Sequence, residues 1–128
     1  MNMRTLQPAA VHKPFSAYAL ATELTDATRW VHVSGQVGAD RDGNVVDGIE
    51  GQLDAIFDKL GEILKEADMS VKNLVRITIY LVNADDIAAM RKARDAFMGG
   101  HLCASTLLIV AGLANPKFLA EVEAVAAA

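Results

Sequence analysis

A single cysteine, Cys103, is all the disulfide chemistry this chain carries, so no bridge can form within it. There is no CxxC pair, and His12, His32 and His101 fall in three separate segments without a carboxylate or thiol at ligand spacing. That pattern argues against a metal centre. Aromatic residues are scarce, at 5%, and Lys and Arg are dispersed. The one basic concentration, Arg91, Lys92 and Arg94, is interleaved with Asp85, Asp86 and Asp95. A nucleic-acid binder gathers cations on one face and adds aromatics for stacking. With a net charge of −4, this chain does neither, and nucleic acid is not expected as a partner. No apolar run reaches the roughly 18 residues of a membrane span, and the N-terminus lacks a signal-peptide core. A cytoplasmic protein with no membrane partner is expected.

What the chain does have is apolar content, 52% over 128 residues. The length fits one domain, residues 1–128. A domain of this size buries only about two-thirds of the surface its unfolded chain exposes. So rich an apolar composition therefore points toward an oligomer.

Residues 1–16 carry Pro8 and Pro14 and few periodic apolar positions, and are expected to be an irregular lead-in. Residues 18–24 and 29–34 are predicted strands, the second with Val31 and Val33 on one face and Trp30, His32 and Ser34 on the other. A long helix follows. Its start has the spacing of a capping box, Asp47 with Glu50. Ile49, Leu53, Ile56, Phe57, Leu60, Ile63 and Leu64 form one stripe along it. Residues 73–82 are a predicted strand with Val75, Ile77, Ile79 and Leu81 inward. A second helix spans 84–98, with Asn83 as N-cap and Gly99-Gly100 as terminator. Residues 106–110 are nearly all apolar, as in a strand buried on both faces. The final strand spans 118–126.

The order β-β-α-β-α-β-β requires a layered α/β or α+β arrangement. Two helices can cover only one face of a mixed sheet of about six strands. The uncovered face, which carries Trp30, is an expected subunit interface. On the last strand, Glu121 and Glu123 share a face by period two, opposite Ala120, Val122 and Ala124. They are either two solvent-facing acids or carboxylates enclosed at that interface. Enclosure raises the pKa of a carboxylate and suits it to acid–base work. Ser105 has no GxSxG frame and no base placed beside it, and Gly35 and Gly38 form no phosphate-binding pattern.

Several segments resemble the Rid/YjgF family of reactive-intermediate (enamine/imine) deaminases, often labelled endoribonuclease L-PSP. They are Tyr18 at the first strand, Val-Ser-Gly-Gln-Val at 33–37, the helix of Gln52 and Val-Arg-Ile-Thr-Ile-Tyr-Leu at 75–81. Ala-Asp-Asp-Ile at 84–87, Cys-Ala-Ser-Thr at 103–106 and Glu-Val-Glu-Ala-Val-Ala at 121–126 continue the likeness. The resemblance implies a chorismate-mutase-like fold, a homotrimer with a central barrel, and clefts between subunits for a small metabolite. The implied reaction hydrolyses an enamine or imine to a 2-keto acid and ammonia without a cofactor. It gives Glu121 the catalytic role and puts Tyr18 (or, in an alternative alignment, Phe15), Ser34 and Gly35 at the substrate. At the family's carboxylate-gripping arginine this chain has Ser105, which offers neither the charge nor the bidentate fork. Arg91, where many members have Asn, is a possible source of positive charge. The expected substrate is neutral or carries its carboxylate elsewhere, and a non-catalytic binder on the same trimer is the alternative.

Overall fold

A computed structural model describes all 128 residues. Six strands and two helices follow in the order β1 (Asn2–Leu6), β2 (Ala21–Thr25), β3 (Trp30–Val37), α1 (Ile49–Glu66), β4 (Leu74–Leu81), α2 (Ile87–Met98), β5 (Ala104–Ile109) and β6 (Ala120–Ala127). Short 3-10 turns at Val71–Asn73 and Ala84–Asp86 lead into β4 and α2.

Four strands form the main sheet, in the order β3-β6-β4-β5, and β1-β2 is a separate antiparallel pair. β6 lies antiparallel to both β3 and β4, while β5 runs parallel to β4. Both helices are therefore crossovers between parallel strands. α2 joins the adjacent β4 and β5, and α1 joins β3 to β4 with β6 inserted between them. Such crossovers have a fixed hand, which puts both helices on one face.

The apolar stripe of α1 lies on that face. Leu53, Ile56, Phe57, Leu60 and Leu64 are buried against Val33, Ile77, Ile79, Leu81, Val122, Ala124 and Ala126. Met90 and Met98 of α2 and Cys103 extend the same core. Phe57 stacks on Phe97 at 5.0 Å, tying the helices together. The opposite face of the sheet has no covering element, and Trp30 on it is 51% exposed.

Five expectations need correction. The lead-in is not irregular throughout, because Asn2–Leu6 pairs with Ala21–Thr25. The strand expected from Tyr18 begins only at Ala21, and Ala19 instead makes a single parallel bridge to Ala104. α1 is not capped by Asp47: its N-cap is Gly48, at φ 77, with no side-chain cap bond. That left-handed φ favours glycine, which is why the chain enters the helix one residue later. Finally, the apolar strand β5 is an edge strand, not one buried on both faces, and Leu108 and Ile109 are 45% and 47% exposed. A register shift between Leu74 and Arg76 also brings Leu74, rather than Val75, into the core.

Candidate functional site

The carboxylate end of the site is built by a bulge. Val33 pairs with Ala124 and Gln36 with Val122, so three steps along β3 oppose two along β6. The extra residue falls at Ser34-Gly35, and a bulge re-aims the chain locally. Glu121, half-buried, faces the uncovered side of the sheet and lays its carboxylate over Gly35. Any side chain at Gly35 would overlap Glu121 Oε2. Ser34, exposed, stands beside this contact.

Glu123, two residues on, is differently placed. The Tyr80 hydroxyl donates to Glu123 Oε1, and that bond holds the Tyr80 phenol above its ordinary pKa. Of the pair on β6, Glu123 is committed to Tyr80, while Glu121 accepts no hydrogen bond within the chain. Glu123 also lines a hollow of about 270 Å³ on the open face with His32, Arg76 and Thr78.

The start of β6 is held by a buried amide. Gln52, 2% exposed, donates through Nε2 to the carbonyls of Val46 and Lys117, both at 2.9 Å. Its Oε1 accepts from the Leu119 amide at 2.8 Å. One side chain thus joins α1, the loop before it and the segment that delivers Glu121. Gly38 lacks a Cβ where the Gln52 amide passes. In the sequence Gln52 counts only as part of a resemblance. Its place within the apolar stripe of α1, beside Leu53, is the signal that it points inward.

The other candidates gather at the far edge of the sheet. Tyr18 is half-buried and lines a cavity of about 690 Å³ beneath residues 7–18. Its Oη accepts from the Phe15 amide at 3.3 Å. Phe15, the alternative, is 77% exposed and does not line that cavity. Ser105 is half-buried and pairs with Ile77, which places it on the helix-facing side with Cys103 and Leu107. Cys103 is 2% exposed, and burial pushes its thiol up to about 11 against the pull of Arg94. It is a neutral packing residue at ordinary pH.

Arg91 is exposed on α2. The inward-turned arginine is Arg94, 3% exposed, whose Nη2 reaches Ser16 Oγ at 3.3 Å. Sequence reasoning passed over it, yet Ile87, Met90, Arg94 and Met98 follow helical spacing. A cation inside an apolar stripe is the signal.

Within one chain these two groups do not meet. Glu121 pairs with Tyr80 and Ser105 with Ile77, on strands either side of β4 and on opposite faces of the sheet. Two strand spacings across and three residues along amount to about 14 Å.

Two helices on one face of a mixed sheet, with β6 inserted between parallel strands, define a chorismate-mutase-like α+β protein. Residues 8–128 match the Endoribonuclease L-PSP family. The chain belongs to that family, the Rid/YjgF proteins. It is 32% identical to the 2-iminobutanoate/2-iminopropanoate deaminase of Rattus norvegicus, over 93% of this chain and 82% of the relative. A RutC family protein of Pyrococcus abyssi is 31% identical over 89% and 88%. Among solved structures, a Rid-family protein of unknown function from Yersinia pestis superimposes with a TM-score of 0.89 at 30% identity, covering 100% of both chains. No helix here is long and apolar enough to cross a membrane.

Proposed function

We propose that the chain works as a homotrimer whose intersubunit clefts hydrolyse a small enamine or imine to a carbonyl compound and ammonia, in a cytoplasmic setting. The observation that carries this is the Glu121 carboxylate, laid over Gly35 on an uncovered sheet face and free of any partner in its own chain. Tyr18, the candidate substrate wall, and Ser105 both lie toward the opposite edge, so in this reading a neighbouring subunit supplies the other half. The exposed Leu108 and Ile109 on the edge strand and Trp30 on the open face offer apolar area for that contact. The relatives named as 2-iminobutanoate/2-iminopropanoate deaminases support the reaction class.

The chemistry follows from the carboxylate. An enamine first tautomerises to its imine. Glu121 takes a proton from water as the oxygen adds to the C=N carbon, forming a C–O bond. The proton passes to nitrogen, giving a carbinolamine. Glu121 then takes the hydroxyl proton as the C=O bond forms and returns it to nitrogen as the C–N bond breaks, so that ammonia leaves and the carboxylate is restored. Water supplies the oxygen and hydrogens, and no redox change occurs. Proton transfer of this kind contributes about 10²–10⁴-fold. The test is ammonia release from imines generated in situ. Wild type should exceed buffer, and Glu121→Ala should fall to the buffer rate. Wild type and variant both at the buffer rate would remove the catalytic claim.

One observation favours a second reading. Ser105 stands where the family resemblance puts a carboxylate-gripping arginine, which fits a trimer that binds a metabolite without turning it over. Thermal stabilisation by ligand without ammonia release would support it.

A further inference from the structure

Helix α2 turns a full positive charge toward the protein interior. Arg94 occupies an apolar-stripe position and its side chain is 4% exposed. A guanidinium taken out of water is costly unless its donors and charge are answered. Nε and Nη2 both reach the Asp95 carboxylate at 3.0 Å, but that side chain is 50% exposed and its charge is screened by water. Cys103 beside it keeps its proton and offers no countercharge. Nη1 makes no hydrogen bond within the chain. No buried side-chain nitrogen lacks a partner, so Nη1 is open to water, and the charge is answered by the half-exposed Asp95, by Ser16 and by solvent.

Its remaining contact leads to the cavity. Ser16 Oγ accepts from Arg94 Nη2, which leaves the Ser16 hydroxyl hydrogen free to donate elsewhere. Ser16 lines the 690 Å³ cavity, whose walls include the apolar Pro8, Val11, Leu20 and Leu102. The polar wall groups include Lys13, His12 and Tyr18, and no acidic residue lines it. A half-apolar chamber with Lys13 in its wall, Arg94 behind Ser16 and no acid is complementary to a small organic anion.

We propose that this cavity takes the carboxylate of a small organic acid, with the Ser16 hydroxyl donating to the anion, Arg94 holding that hydroxyl from behind, and Lys13 adding a second positive charge. The positive charge absent at Ser105 is thereby supplied from α2, one element away, behind the wall that Tyr18 forms. This deepens the proposed function and rests on Tyr18 being a wall of the substrate cleft. Arg94 acts through Ser16 and is a positioning residue.

The test titrates 2-oxobutanoate, and the neutral 2-oxobutanamide, into the full-length arginine-¹⁵N-labelled protein. Calorimetry gives the affinity, and the guanidinium Nε signal of Arg94 gives the location. The acid should bind saturably and move the Arg94 signal, while the amide leaves it in place. Ser16→Ala and Arg94→Met should each weaken the acid by about tenfold or more, as loss of a charge-assisted contact does. Lys92→Ala should match wild type. Ser16→Ala lies on the lead-in segment and keeps the test open if Arg94→Met does not fold. Saturable binding with an unmoved Arg94 signal and an unweakened Ser16→Ala overturns the proposal, as does no saturable binding of the acid. Glu121→Ala should still bind, so a failure of the chemistry and a failure of this subsite give different results.

Discussion

Gly35 is empty of side chain where the Glu121 carboxylate lies, and Ser34-Gly35 is the bulged pair that makes this approach possible. In Gly35→Ala the new methyl group would displace a flexible carboxylate rather than backbone. Stability should therefore fall little, by about 1 kcal/mol or less, while ammonia release falls toward that of Glu121→Ala. Thermal melting and the ammonia assay together check this. Cys103 gives a pH dependence of definite sign. Burial makes the folded protein keep its thiol proton up to about 11, whereas an ordinary solvated thiol loses it near 9.0. The unfolded chain thus gives up the proton first. Stability from this group is complete below pH 9 and is lost as the pH rises toward 11. Urea melts between pH 8 and 11 should show the loss, and Cys103→Ala should flatten that part of the profile. Glu121 was legible in the sequence because period two pairs it with Glu123 opposite small apolar neighbours. What separates the two, the Tyr80 hydroxyl on Glu123, comes from a strand about forty residues away and leaves no local trace.

At the level of elements, the long stripe of α1 and the alternation in β3, β4 and β6 were legible because each has a full period of apolar residues. The elements that were misjudged are those fixed by distant partners. β1 has little pattern of its own and exists through its ladder with β2, tightened by the Arg4–Glu23 ion pair. β5 is apolar enough for a buried strand, yet the sheet order leaves it at an edge. Its exposure is set by its place in the sheet order, which its own composition does not report. Gln52 shows the same limit, since its three bonds join segments up to 67 residues apart. Gln52→Leu would strand two carbonyls and one amide at once, each at about 1–3 kcal/mol if left dry. The expected outcome is a lower urea midpoint, with amide exchange around Leu119 accelerated more than in the centre of α1. Hydrogen exchange measured element by element checks it.

For the whole molecule, the arrangement of the two half-sites is what matters. The main sheet places Glu121 with Gly35 near one edge and open face, and Tyr18 with Ser16 near the other. A chain that keeps both halves intact still cannot close them on each other. Under the proposed function, activity depends on assembly, with each cleft taking Glu121 from one subunit and Tyr18 from its neighbour. The most direct measurement mixes Glu121→Ala with Tyr18→Ala, each inactive alone, by joint unfolding and refolding at equal amounts. Random closed trimers should then recover on the order of one quarter of wild-type ammonia release, since that share of interfaces pairs two intact halves. A mixture no more active than its two parents would contradict the account, because it would place both halves of the site in a single chain.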